Sequence, residues 1–280
     1  MQNERSIKKI LVPIDKSASS LMSQETAASI AKKTNASVTV LHVVPNVSFG
    51  QPQTAALITN GLDQEGQSLV GQAKELFMEE KVDVKVEVFH ENDVAETILR
   101  FSDNFDLTVI GGRGENEKDL NALGSVTKKI IMHTTCPTMI VKKVSTMSNM
   151  LVCVDGSAGA MKALNYALSL AEKLDSRITL LNVQEPRLHK ASPDVAMELG
   201  GRVLIESLRA VEKRKITADK RLEFGVPSDV IVDVAEKGNH DVIILGSRGL
   251  GAVKRFLLGS VSDDVSYKAK CSVLIVPAKT

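Results

Sequence analysis

The chain has little cysteine, no excess of charge and no long apolar run, and each absence narrows its class. Its three cysteines, Cys136, Cys153 and Cys271, suit neither a disulfide framework nor a metal-ligand spacing, which points to a reducing, cytoplasmic setting. Lys and Arg number 35 against 34 Asp and Glu, a net charge of +1, so no global field recruits nucleic acid or an anionic membrane. No apolar run approaches the roughly 20 residues that a membrane helix needs. The opening MQNERSIKK leads into a short apolar stretch broken by Pro13 and Asp15, so no signal peptide is expected. Catalytic signatures are missing too: G-x-S-x-G, H-E-x-x-H, C-x-x-C and G-x-x-x-x-G-K-[ST] do not occur. The five histidines (His42, His90, His133, His189, His240) are scattered and read as structural or solvent-facing. Cys136 and Cys271 read as small buried residues, and the nine methionines as gap fillers of the core.

What is present is a repeat. The 280 residues, 43% apolar and 25% charged, suit two globular domains. Shifted by 140, Leu11-Val12, Asp15 and Ser17-Ala18 meet Leu151-Val152, Asp155 and Ser157-Ala158. Shifted by 135, Asp106, Gly111, Arg113, Gly114, Gly124, Ser125, Val126 and Cys136 meet Asp241, Gly246, Arg248, Gly249, Gly259, Ser260, Val261 and Cys271. Internal repetition of this kind is a tandem duplication, with domains at 1–144 and 149–280 and a polar linker between them.

Strand and helix patterns alternate within each half. Strands are expected near 8–14, 37–44, 83–89, 106–111 and 138–143, with helices near 19–34, 60–80, 93–104 and 124–133. The second half repeats them, with strands near 149–155, 176–183, 217–224, 241–246 and 272–276 and helices near 159–174, 194–214, 226–238 and 259–268. Leu164, Ala167, Leu168, Ala171 and Leu174 form one helical face, and residues 82–88 alternate as a half-exposed edge strand does. A βαβα order implies parallel strands with right-handed crossovers. The fold class is therefore α/β, two tandem doubly wound domains.

Ligands of such sheets bind beyond the carboxyl ends of the strands. There the first strand ends in Asp15 or Asp155. The fourth ends in Gly111-Gly112-Arg113-Gly114 or Gly246-Ser247-Arg248-Gly249. Nine residues later Gly124-Ser125-Val126 or Gly259-Ser260-Val261 opens the last helix. Glycine lets backbone approach a ligand closely, and a helix N-terminus suits phosphate oxygens. A carboxylate across the crevice accepts hydrogen bonds from ribose hydroxyls. These features describe a nucleotide site. Gly-Ser before a helix is also an ordinary cap, and glycines after a strand are ordinary turns. Duplication preserves neutral features too, so both readings stay open.

The spacings Gly111-x2-Gly114-x9-Gly124-Ser125 and Gly246-x2-Gly249-x9-Gly259-Ser260 resemble those of the ATP-binding members of the universal stress protein family. The segments LVPID, LVCVD, LHVV, LLNV and GSRGLGAVKRFLLGSVSDDV are also family-like. The resemblance implies a Rossmann-like, five-stranded parallel sheet of order 3-2-1-4-5 in each half. It implies ATP or AMP, with Mg, in the crevice. Asp15 and Asp155 would face the nucleoside, and the backbones of Val43 and Val183 the adenine. Gly111, Gly114, Gly246 and Gly249 would line the sugar and phosphates, which Gly124-Ser125-Val126 and Gly259-Ser260-Val261 would cradle. Val154, Leu245 and Arg248 complete the expected nucleotide-binding residues. It also implies that the two domains pack through their last strands, imitating the homodimer of single-domain members. A homodimer of this whole chain stays open.

The halves differ in charge. Residues 112–123 carry a net −1 and residues 247–258 a net +3, and Lys16 follows Asp15 where Gly156-Ser157 follows Asp155. The second crevice is therefore expected to bind and the first to be weaker or empty. These residues leave three functions open. The first is a stress-response regulator that binds nucleotide and hydrolyses it slowly at most. The second is a nucleotide-independent scaffold or chaperone-like protein with relic crevices. The third, least supported, is an ATP-using enzyme. Residues 46–60 and 184–194, where the halves diverge, are candidates for partner contact.

Overall fold

Serine starts the first helix of each half, and a left-handed residue ends it. Ser17 and Ser157 accept hydrogen bonds from the backbone N–H groups of Ser20 and Ala160, both at 3.1 Å, filling the N-cap role of a short hydroxyl. Asn35 and Asp175 close the same helices at φ 60° and 55°, a conformation that Asn and Asp tolerate better than most residues. The same local chemistry thus appears twice, as the repeat requires.

The computed structural model describes residues 7–46, 52–114, 123–249 and 258–278, with 52–56 described by backbone alone. The first half runs β1 (Lys9–Pro13), α1 (Ala18–Thr34), β2 (Ser37–Pro45), α2 (Pro52–Glu79), β3 (Val84–Glu91), α3 (Val94–Ser102), β4 (Leu107–Gly111), α4 (Ser125–His133) and β5 (Thr138–Val141). The second runs β6 (Asn149–Cys153), α5 (Ala158–Leu174), β7 (Arg177–Gln184), α6 (Pro186–Ala191), α7 (Pro193–Lys213), β8 (Ala218–Phe224), α8 (Pro227–Lys237), β9 (Val242–Gly246), α9 (Ser260–Lys268) and β10 (Ser272–Val276). Two elements depart from expectation. Helix α2 starts at Pro52, not near 60, and carries the turn-like pair Asn60-Gly61 inside it. Helix α6 was not anticipated; six residues are too few to show a helical period.

The strands form one sheet in the order β3-β2-β1-β4-β5-β10-β9-β6-β7-β8. Pairing is parallel within each half. Between halves β5 and β10 pair antiparallel, with Thr138, Met139 and Ile140 opposite Ile275, Leu274 and Val273. All residues of β4, β5 and β10 are buried, as strands covered on both faces must be. The outermost strand β3 alternates between partly buried and exposed over most of its length. Met139, Met147 and Met150 are fully buried, whereas Met78 and Met197 are exposed, so the methionines divide between core and surface.

Further contacts hold the halves together. Tyr166 donates its hydroxyl to the Asp106 carbonyl at 2.9 Å, and Ser272 donates to the Lys143 carbonyl at 2.9 Å. The aligned acids Asp106 and Asp241 do the same structural work in each half. Asp106 accepts the N–H groups of Lys8 and Lys9 (2.9 and 3.0 Å), and Asp241 those of Ser148 and Asn149 (2.9 and 3.1 Å). Each fixes the backbone entering the first strand of its half.

Strand β10 sits at this seam, and Leu274 is fully buried there. Leu274→Ala is expected to cost about 2–5 kcal/mol, read as a lower urea midpoint with an unchanged slope.

Candidate functional site

In each half a notch opens where the first strand stops and its neighbour continues. β1 ends at Pro13 while β2 runs on to Pro45. The last bond across them is Ile14 N–H to the Leu41 carbonyl at 2.9 Å, matched by Val154 N–H to the Leu181 carbonyl at 2.9 Å. Backbone direction alternates along a strand. Val43 and Val183, two residues on, therefore turn their N–H and C=O to the same side as Leu41 and Leu181, over the notch. Both valines thus present backbone polar groups to the notch. Val154 and Leu245 are buried beneath.

The carboxylates are held by the turns that follow them. Asp15 Oδ1 accepts from the Ser17 N–H at 3.0 Å and from the Ser17 hydroxyl, and Asp155 Oδ1 from the Ser157 N–H at 2.9 Å. Oδ2 of each points across the crevice to the glycine loop. A Cβ built on Gly114 would lie 3.3 Å from Asp15 Oδ2, and one on Gly249 only 2.4 Å from Asp155 Oδ2. Gly114 and Gly249 are thus the floor over which these carboxylates lie.

Gly111 and Gly246 answer to a different constraint. A Cβ on Gly111 would meet backbone atoms of Ser19 at 2.8–2.9 Å, and one on Gly246 backbone atoms of Gly159 and Ala160 at 2.7–3.0 Å. The missing side chain lets α1 or α5 rest on the strand end. Gly111 borders the crevice, but helix packing alone already requires glycine there.

The loop after β4 or β9 is clasped at its base: Gly124 N–H donates to the Gly112 carbonyl at 3.0 Å, and Gly259 N–H to the Ser247 carbonyl at 2.8 Å. Thr127 and Ser262, one turn into α4 and α9, donate to the Gly111 and Gly246 carbonyls at 2.9 and 2.8 Å. The first turn of each helix is thereby locked to the strand end. Gly124 and Gly259 are the N-caps, and neither provides a side-chain cap. Ser125 and Ser260 are exposed at the first helical position, with Val126 and Val261 half-buried behind them. The N–H groups of these first turns face the crevice as donors for an anion. Arg113 borders the first crevice; Arg248 occupies the aligned place in the second, half-buried. The first crevice is a cavity of about 420 Å³ reaching from the glycine loop to Leu62 and Leu69 of α2. The loop charges that distinguish the halves lie at 115–122 and 250–257, outside the described residues.

Several participants were missed from sequence. His42 Nδ1 lies 3.0 Å from the Ile14 carbonyl, and the aligned Asn182 donates to the Val154 carbonyl at 2.7 Å. Gly66 and Gly200 bring α2 and α7 close to these side chains: a Cβ would meet the His42 ring at 2.9 Å or Asn182 Oδ1 at 2.9 Å. The signal was available as a 140-residue match of two polar residues in otherwise apolar strands. An ion pair between Lys16 and Glu65 at the crevice mouth left no such trace.

Comparison with known proteins gives the family and the fold. The sequence profile described as "Universal stress protein family" matches residues 6–142 and 147–277. The chain belongs to the universal stress protein family. A universal stress protein of Staphylococcus aureus (strain USA300) is 35% identical over 140 residues, 47% of this chain and 84% of the relative. Among solved structures, a universal stress protein from Archaeoglobus fulgidus DSM 4304 shares the fold with a TM-score of 0.73 at 22% identity, covering 99% of this chain and 100% of its own. A functionally unknown protein from Pseudomonas aeruginosa PAO1 aligns with a TM-score of 0.69 at 17% identity, covering 98% and 94%.

Among the described residues of this universal stress protein no helix is long and apolar enough to cross a membrane. Nor, among those residues, is any group of three or more His, Cys, Asp or Glu placed to hold a metal ion. The cysteines are poor nucleophiles: burial pushes Cys136 up to about 12 and Cys271 up to about 11. His240 is buried, and burial lowers its pKa below the ordinary value.

The two kinds of glycine should separate experimentally. Gly111→Ala is expected to cost about 1–3 kcal/mol or more through overpacking against α1. Gly114→Ala, whose Cβ meets one carboxylate oxygen at 3.3 Å, should stay within about 0.5 kcal/mol of the parent. Urea denaturation of both variants checks the contrast.

Proposed function

We propose that this universal stress protein binds an adenine nucleotide, ATP or AMP, at the carboxyl ends of its strands. It would act in the cytoplasm as a stress-response regulator whose conformation or assembly, including dimer formation, follows occupancy. The observation that carries this reading is the twice-built arrangement of an uncapped helix N-terminus, a bare glycine floor and a carboxylate oriented across it. Phosphates suit the helix N-terminus. The far wall, formed by Val43, Val44, Leu62 and Leu69, suits a flat heterocycle. A ribose between them meets Asp15 or Asp155. Mg would ride on the phosphates, since the described residues offer no carboxylate cluster for it.

The second crevice binds more tightly on this reading, because its loop is cationic where the first is acidic. On this reading turnover is slow at most: among the described residues no nucleophile is paired with a base in either crevice. Nucleotide shifts the protein only by its difference in affinity between two states. The alternative, a scaffold with relic crevices, has one observation in its favour: the Lys16–Glu65 pair already joins two walls of the first crevice.

Calorimetric titration of the nucleotide-stripped chain with Mg-ATP is the test. One tight site per chain is expected, with a weaker second. Gly259→Val should abolish the tight site, since a Cβ there already lies 3.4–3.8 Å from the Ser247–Gly249 backbone among the described residues, and the added methyls would crowd the loop that this reading assigns to the phosphates. Gly124→Val should leave it. A folded chain that takes up no nucleotide would refute the proposal in favour of the scaffold.

A further inference from the structure

Lys142 touches both halves at positions that matter to both crevices. It follows β5, and its stem runs beside the first glycine loop: a Cβ on Gly112 would lie 3.3 Å from Lys142 Cγ. Gly112 is itself fixed at both its polar groups, donating to the Val141 carbonyl at 2.9 Å and accepting from Gly124 N–H at 3.0 Å. The far end of Lys142 leaves the first half. Its Nζ donates to the carbonyls of Tyr267 and Ala269 at 2.8 and 2.7 Å, at the C-terminal end of α9, where helix carbonyls run out of partners within the helix. The other end of α9 is Gly259-Ser260, the uncapped N-terminus of the second crevice. Nine residues of helix make a stiff rod of about 13 Å between that crevice and Lys142. Among the described residues the link has no counterpart. The 135-residue shift that pairs Cys136 with Cys271 pairs Lys142 with Pro277, which has no amine to place on α4.

We infer that Lys142 is a positioning residue that couples the two crevices, holding α9 of the second half against the glycine loop of the first. The ligand side of this inference rests on the nucleotide reading above; the mechanical side does not. A ligand that draws on the Gly112–Gly114 loop moves the Lys142 stem and with it the end of α9. A ligand seated on Gly259-Ser260 pulls the same rod from its opposite end. Such coupling is reciprocal by thermodynamic necessity.

The clasp is also sensitive to pH. Burial pushes the Lys142 ammonium down to about 8, and Arg113 acts in the same direction. Cys271 is held up at about 11, so it stays a thiol over this range. Between about 8 and the ordinary lysine value of 10.5 the folded chain releases this proton while the unfolded chain keeps it. Stability from this group therefore rises with pH there, while the clasp loses its charge. Coupling and stability move in opposite directions, which a purely structural lysine would not produce.

The experiment has two arms on the full chain. Hydrogen exchange of the ligand-free protein at pH 7 should show that Lys142→Met raises exchange both in 111–114 with 124–126 and in 259–264; a change confined to one half would overturn the inference. In the second arm, Mg-ATP affinity at the first crevice is compared with and without Gly259→Val, in the parent and in Lys142→Met. A dependence of about fivefold is expected in the parent and none in Lys142→Met; equal dependence in both, or none in the parent, would overturn it. Raising the pH from 7 to 9.5 should erase the dependence in the parent and leave it in Lys142→Arg, which stays charged; a parent that keeps it at pH 9.5 would count against the clasp. If no variant binds nucleotide, the nucleotide reading fails, and the exchange arm still decides the clasp.

Discussion

The antiparallel pairing of β5 with β10 is the contact on which the rest of the molecule depends. In a sheet of order 3-2-1-4-5 the fifth strand is an edge, with a row of unpaired backbone groups that invites other strands. Joining the two fifth strands removes both edges and buries Ile140, Val273 and Leu274 completely. The pairing also sets the geometry of everything beyond it. Because the strands of the halves run in opposite directions, the two sets of carboxyl ends face opposite margins of one sheet. The end of β5 then lies beside the start of β10, where α9 finishes. Lys142 reaches α9 for that reason alone.

Within each half the same economy of space explains the glycines. Gly111 and Gly246 admit the first helix, while Gly114 and Gly249 leave room for the carboxylate. One motif thus answers two constraints, one of packing and one of access. The packing constraint would hold in a protein that bound nothing. Gly114, Gly249 and the uncapped N-termini of α4 and α9 bear on access, whereas the glycines that end the strands answer to packing.

The duplicated halves have drifted in chemically meaningful ways. His42 and Asn182 make the same contact to the carbonyl ahead of the acid with different groups. Ser19 ties its hydroxyl to the Arg113 backbone, whereas at the aligned Gly159 a side chain would collide with the Arg248 carbonyl. The first crevice carries the Lys16–Glu65 pair at its mouth; Gly156 stands where Lys16 does. Two crevices on one scaffold thus differ in their lining, and Lys142 touches both halves.

The sequence by itself determined the duplication, the alternation of strands and helices, and the place of the glycine loops. These are legible because period and spacing are local properties: β9 and β10 are unbroken apolar runs, and Ser17 and Ser157 cap helices within three residues. The start of α2 at Pro52 escaped because Asn60-Gly61 imitates a turn that packing does not require. Only the tertiary structure decided which glycines serve packing and which leave the crevice open, that Lys16 meets Glu65, and that Lys142 meets α9. Those contacts join residues far apart in the chain, and their energies depend on distances that no local pattern of residues encodes.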